Sequence, residues 1–208
     1  MGNIVLIGFM GTGKSAVGRS LAERLGRELV ETDVLIEQRA GRPIPSVFQD
    51  EGELRFRELE IEAVKEASMR SNAVIACGGG AVLNKLNVDR LRNGGVMVLL
   101  EARPEVIASR LSGDGDERPV LRSLTVPVVR DLLTYRAPFY ERAADVTVET
   151  SDLTVNQVVE EIIERLQAVE IEPLERVLRV NVEAPRSRSF TNRALVIAAL
   201  ASGPTVLH

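Results

Sequence analysis

Short apolar runs recur along the chain at residues 4–7, 29–31, 73–76, 96–100 and 146–148, and their length and flanks predict buried strands. Between them lie stretches of helical period. From Lys14, the residues Val17, Leu21 and Leu25 fall on one stripe that stops at Gly26. A second helix is predicted over residues 53–69, with Glu53, Arg57 and Glu60 together on a polar face. Strands alternating with helices imply parallel pairing through helical crossovers, hence an α/β fold. In such a sheet, ligands gather at the carboxyl ends of the strands.

The first of those ends carries the most specific signal. Residues 8–15 read Gly-Phe-Met-Gly-Thr-Gly-Lys-Ser, a complete G-x-x-x-x-G-K-[ST] phosphate loop set between a strand and a helix. Its glycines let backbone N–H groups turn inward, and the helix behind presents unpaired N–H groups and a positive dipole end. Lys14 is placed to reach the β- and γ-phosphates of a nucleotide. Ser15 offers the small hydroxyl that Mg²⁺ needs, so the spacing predicts a nucleotide bound with Mg²⁺.

Other strand ends add candidates. Glu31 and Asp33 follow the second strand, and Asp33 is also a natural helix N-cap. Gly78, Gly79 and Gly80 follow the third, where they suit either close backbone approach to a ligand or a tight turn. Beyond the fourth, a polar flap over residues 112–117 ends in Arg118-Pro119, the form of a lid that excludes water and brings Arg118 to a transferring phosphoryl group. Arg136 precedes Ala-Pro-Phe-Tyr on a later helix. Taken singly, each of these also reads as a solvated or structural residue.

Composition removes several alternatives. At 208 residues the chain has room for one α/β domain and a short extra segment. A formal charge of −4 with two Tyr, five Phe and no Trp argues against nucleic acid as a partner. The apolar runs are too short to span a bilayer and the N-terminus lacks the basic region of a signal peptide, so a cytoplasmic protein without a membrane partner is expected. Cys77 is the only cysteine, which excludes an internal disulfide and suggests a packed core thiol. His208 is the only histidine and the last residue, so no Ser-His-Asp triad can form.

Together these residues resemble the shikimate kinase family, small P-loop kinases of aromatic amino-acid biosynthesis. The likeness covers about residues 3–166 and rests on the loop at 8–15, Thr32-Asp33, Gly-Glu-Leu-Arg-Phe-Arg-Glu-Leu-Glu at 52–60, the three glycines at 78–80, Arg118-Pro119 and Arg-Ala-Pro-Phe-Tyr at 136–140. The resemblance implies a three-layer P-loop kinase fold with a five-stranded parallel sheet in the order 2-3-1-4-5. It implies nucleotide contacts from Gly11, Thr12, Gly13, Lys14, Ser15 and Ala16, with Ser15 on the metal, Arg118 on phosphate and Arg110 against adenine. It further implies that Asp33 meets the hydroxyls of shikimate near the reacting one. Arg57, Arg136 and the backbone around Gly78, Gly79 and Gly80 would hold the substrate's carboxylate region. Lys14, Asp33 and Arg118 are the implied catalytic residues. The family usually has Asp where Glu31 stands, near the metal's outer shell, and a basic residue after the last strand that residues 149–153 lack.

Residues 174–208 resemble the opening of 5-enolpyruvylshikimate-3-phosphate synthase, an apolar run at 177–182 followed by Pro-Arg-Ser-Arg-Ser-Phe-Thr-Asn-Arg and the helical stretch 194–201. Arg186 and Arg188 stand where that family has Gly and a substrate-binding Lys. The expectation is a kinase domain over residues 1–173 and a truncated, synthase-like strand-helix extension without synthase activity over 174–208. The leading function is ATP-dependent phosphorylation of the shikimate 3-hydroxyl by a monomer, with association through the tail as a variant. Another small-acceptor P-loop kinase and a non-catalytic nucleotide-binding regulator are the rivals.

Overall fold

In the computed structural model, residues 2–113 and 125–167 are described. The central strand β1 (Asn3–Ile7) is buried along its whole length, as a strand covered by helices on both faces must be. It leads through the phosphate loop into α1 (Lys14–Leu25), then β2 (Glu28–Glu31), α2 (Thr32–Ala40), α3 (Ile44–Ser68) and β3 (Ala73–Ala76). A short 3-10 turn at Ala81–Leu83 precedes α4 (Lys85–Gly94), β4 (Gly95–Glu101), α5 (Pro104–Gly113), α6 (Val126–Ala143), β5 (Val146–Glu149) and α7 (Val155–Gln167). All strand pairs are parallel, in the order β2-β3-β1-β4-β5 expected from the family likeness.

Alternation along β1 divides the core. Val5 and Ile7 pack with Val64, Ile75, Leu99, Ile107, Val129 and Tyr140 on one face. Ile4 and Leu6 face the other way, against Val17 and Leu21 of α1 and Val158 and Ile162 of α7. A separate cluster of Ile36, Val47, Phe56, Leu59 and Ala63 joins α2 to α3. Because β1 pairs with β3 and β4 in register, Leu6 lies level with Ala76 and Val98, and the carboxyl ends of these strands open on one edge. That edge carries the site.

One helix differs from expectation. The predicted helix over residues 53–69 is the second part of α3, which already begins at Ile44 and passes through a break at Gly52, where φ is 79° and ψ −178°. The apolar period is interrupted there, and Pro43 and Pro45 disguise the start, although proline is tolerated in a first helical turn. The compact unit that includes these elements runs from Met1 to Leu166. The extension expected over residues 174–208 lies outside the described residues. Among the described residues no helix is long and apolar enough to cross a membrane.

Candidate active site

The phosphate loop is organised around one carbonyl. Thr12 Oγ1 and Lys14 Nζ both donate to Phe9 O, each at 2.8 Å. Gly13 takes φ 94° to turn the loop into α1, and no side chain caps that helix. Its first N–H groups are therefore left for an anion. Burial lowers the Lys14 ammonium from its ordinary 10.5 to about 8, with Asp33 opposing the shift and Arg136 adding to it. Ser15 and Ala16 lie exposed in the first turn of α1.

Across the edge, the three glycines after β3 act as a junction. Gly78 N donates to Thr32 Oγ1 at 2.9 Å, which pins the start of α2 to this turn. Asp33 stands in the first turn of α2 and the cap position belongs to Glu31, so the N-cap reading of Asp33 does not hold. A Cβ on residue 78 would lie 2.6 Å from Asp33 Oδ1, and one on residue 80 would collide with the Arg57 guanidinium. Only glycine leaves room for both side chains. Tyr140 donates its hydroxyl to Gly79 O at 2.6 Å, while the space beside Gly79 Cα is closed by Met10 N. The turn thus meets α2, α3, α6 and the phosphate loop.

Charge follows the same convergence. Arg57 pairs with Glu53 and Glu60, each at 3.0 Å, from successive turns of α3. The Glu60 side chain is 2% exposed. Burial raises its carboxyl above the ordinary value, and Arg57 only partly offsets this. Among the described residues Glu60 Oε1 has no hydrogen-bond partner. Arg136 lies over the Phe9 ring at 5.2 Å, a cation-π contact that sets its guanidinium against the phosphate loop. Lys14 feels Asp33 and Arg136, and Glu60 feels Arg57, Asp33 and Arg136, so these five charges share one field. Three are cations and two are anions; Glu53, which also pairs with Arg57, is largely exposed, so inside the site the balance favours anionic ligands.

The structure therefore brings Lys14, Asp33, Arg57, Gly78, Gly79, Gly80 and Arg136 to one place. Arg110 lies on another flank of the loop, where Nη1 donates to Gly11 O at 3.3 Å and Nη2 to Thr150 O at 2.9 Å. Arg118 lies outside the described residues. Thr32 and Tyr140 fall inside motifs of the family likeness but carry no role there, and Thr150 escapes a motif reading altogether, because a Thr at a strand end has no spacing that marks it. The burial of Glu60 is also invisible in sequence, since its neighbours alternate as on a solvated helix face.

The shikimate kinase family model matches residues 10–167. A shikimate kinase from Caldanaerobacter subterraneus subsp. tengcongensis is 48% identical over 165 residues, 78% of this chain and 95% of the relative. One from Symbiobacterium thermophilum is 48% identical over 167 residues, 79% of this chain and 96% of that protein. Among solved structures, shikimate kinase from Acinetobacter baumannii in complex with shikimate aligns with a TM-score of 0.77 at 35% identity, over 83% of this chain and 96% of that one.

Proposed function

Because this chain belongs to the shikimate kinase family and so transfers phosphate from ATP to the 3-hydroxyl of shikimate, on the route to chorismate and the aromatic amino acids, we propose the following division of labour among its residues. Lys14 and the N–H groups of residues 11–16 hold the β- and γ-phosphates. Asp33 accepts a hydrogen bond from the acceptor hydroxyl and aligns it for attack. Arg57, Arg136 and the Gly79 backbone take the substrate carboxylate, since paired guanidiniums match a planar anion in direction as well as charge. Arg110 lies along the base and Arg118 meets the phosphates.

The observation behind this assignment is the shared field of Lys14, Asp33, Glu60, Arg57 and Arg136 around a turn stripped of side chains. In phosphoryl transfer the protein's work is positioning and charge stabilisation. Lys14 supplies fixed positive charge where the transferring group gains negative charge. Asp33 stands near enough to influence Lys14, which sets the acceptor beside the donor.

Mg²⁺ fits the donor set. Among the described residues no three His, Cys, Asp or Glu side chains group as a metal cage, which suits an ion that keeps its waters and leans on substrate phosphates. The exposed Ser15 hydroxyl would hold it, and its chemistry there is to neutralise charge on the phosphate oxygens. That the chain binds no nucleic acid accords with its −4 charge, and a cytoplasmic setting accords with the single, buried thiol of Cys77; a monomer, or association through the tail, completes the proposal.

Asp33→Asn tests the acceptor half. Turnover should fall at least about 100-fold while ATP affinity, read by titration, stays within twofold of wild type. Lost ATP affinity with unchanged turnover would contradict the role.

A further inference from the structure

Thr150, the first residue after β5, is 2% exposed and joins three parts of the nucleotide side. Its N–H donates to Glu101 O at 2.8 Å, tying it to the end of β4. Its hydroxyl lies 2.9 Å from Glu101 O and 3.3 Å from Thr12 O, and it accepts from Arg110 Nη1 at 3.1 Å. A threonine hydroxyl has one proton to give and lone pairs to receive with. The proton goes to Glu101 O, the nearer acceptor, with Thr12 O as its alternative, and a lone pair takes Arg110. The Thr150 carbonyl takes the other arm of the same guanidinium at 2.9 Å. Nη1 is shared with Gly11 O at 3.3 Å.

Both arms of Arg110 are therefore committed to one threonine, and two consecutive carbonyls of the phosphate loop close the same knot. The residues that follow are also tied to the β4 end, since Arg103 N donates to Ser151 Oγ at 2.8 Å and its guanidinium grips Asp152 at 2.7 and 2.6 Å. That ion pair is exposed and contributes little by itself. Loss of the buried Thr150 hydroxyl would take one acceptor from the Arg110 guanidinium, leaving Nη1 only its longer contact to Gly11 O, and would take a donor from the Glu101 and Thr12 carbonyls.

We infer that Thr150 is a positioning residue for the nucleotide, holding Arg110 and the backbone of Gly11 and Thr12 in one arrangement so that base and phosphates are met together. The inference rests on the reading of Arg110 and the loop as nucleotide contacts. It involves none of the residues at the glycine turn, so it separates ATP from shikimate.

Steady-state kinetics of the full chain test it. Thr150→Val keeps the branched shape and removes the hydroxyl. It should raise the KM for ATP by about 5- to 20-fold and leave the KM for shikimate within twofold. Thr150→Ser, which restores the hydroxyl, should bring the KM for ATP back to within about threefold of wild type. If Thr150→Val does not accumulate folded, Thr150→Cys offers a poor donor of similar size and the same ratio is read. An unchanged KM for ATP, an equal rise in both KM values, or failure of Ser to restore would overturn the inference. Arg110→Ala isolates the premise. If it raises the KM for ATP while Thr150→Val does not, only the inference fails; if Arg110→Ala leaves that KM unchanged, the reading of Arg110 fails and the inference with it.

Discussion

The phosphate loop takes its groups from the eight consecutive residues 8–15 and works largely through backbone N–H and a single lysine. The proposed acceptor pocket would draw Asp33 from α2, Arg57 and Glu60 from α3, three glycines from the turn after β3 and Arg136 from α6. Its specificity rests on long charged side chains held by one another. The first region is local in sequence and rigid once β1 and α1 are in place. The second forms only when four elements have docked, and it requires empty space at Gly78 and Gly80 as much as it requires charge. A change in the loop should therefore strike the chemical step, as should a change at Asp33, which aligns the reacting hydroxyl, whereas a change at Arg57, Arg136 or the glycine turn should strike recognition of the acceptor.

The largest effect that bears on this contrast is at Lys14. Lys14→Ala should reduce turnover by about 10²- to 10³-fold, measured as shikimate-dependent ADP release, with shikimate affinity little altered. Near-normal turnover would break the contrast at its strongest point. On the acceptor side, Arg57→Ala and Arg136→Ala should each weaken shikimate binding by roughly 30- to 150-fold, the range for losing a charge-assisted contact that is partly buried. Gly80→Ala should mimic Arg57→Ala, because its methyl displaces the guanidinium. A Gly80→Ala variant with wild-type shikimate affinity would show that the Arg57 position is not set by this turn.

The same contrast explains what could be read before folding. The loop and the strands were legible, because apolar runs and a contiguous motif survive in one dimension, whereas the strand order came only from the family likeness. The proposed acceptor residues stand out only through the family pattern at Thr32-Asp33, residues 52–60, 78–80 and 136–140. Arg57 and Arg136 look solvated by period alone. Glu60 keeps the spacing of a surface residue yet is buried, since α3 is covered on that face by the α2 packing and the glycine turn. The amino-terminal part of α3 was hidden by its prolines and by the break at Gly52. Thr150 was hidden for a different reason. Residues 149–153 hold no basic group, and what Thr150 offers there is a hydroxyl that receives an arginine from α5.

A smaller, graded effect should appear with pH. Lys14 titrates at about 8 in the folded chain against 10.5 ordinarily. The ammonium is the form that pairs with phosphate, so kcat/KM for ATP should decline as pH rises above about 8, by up to about tenfold per unit. Stability should respond the other way. Between 8 and 10.5 the unfolded chain holds a proton on this lysine that the folded chain has lost, so this group's contribution makes the protein more stable as pH rises through that window. Lys14→Met should remove that contribution. A wild-type kcat/KM for ATP that stays flat to pH 9.5 would place the Lys14 proton elsewhere.

The smallest effect is expected at the carboxyl-terminal segment. Both regions of the site lie within the compact unit that ends at Leu166, and the family match ends at residue 167. No residue assigned to ATP or shikimate lies beyond Arg136, and the base-side positioning role stops at Thr150. A chain ending at Pro173 should then keep turnover and both KM values within about twofold, with a melting temperature lowered by no more than a few degrees, the shift about 1 kcal/mol would cause. Residues 174–208, expected from the sequence to be a truncated synthase-like extension, hold Arg188 where that resemblance would place a substrate-binding Lys. Supplied with shikimate, ATP and phosphoenolpyruvate, the full chain should stop at shikimate 3-phosphate, as read by chromatography. An enolpyruvyl product from this chain alone would give the segment a catalytic role of its own. A kinase that loses its acceptor affinity on removal of the segment would instead join those residues to the pocket, and the contrast between a contiguous loop and an assembled pocket would have to include a fifth element.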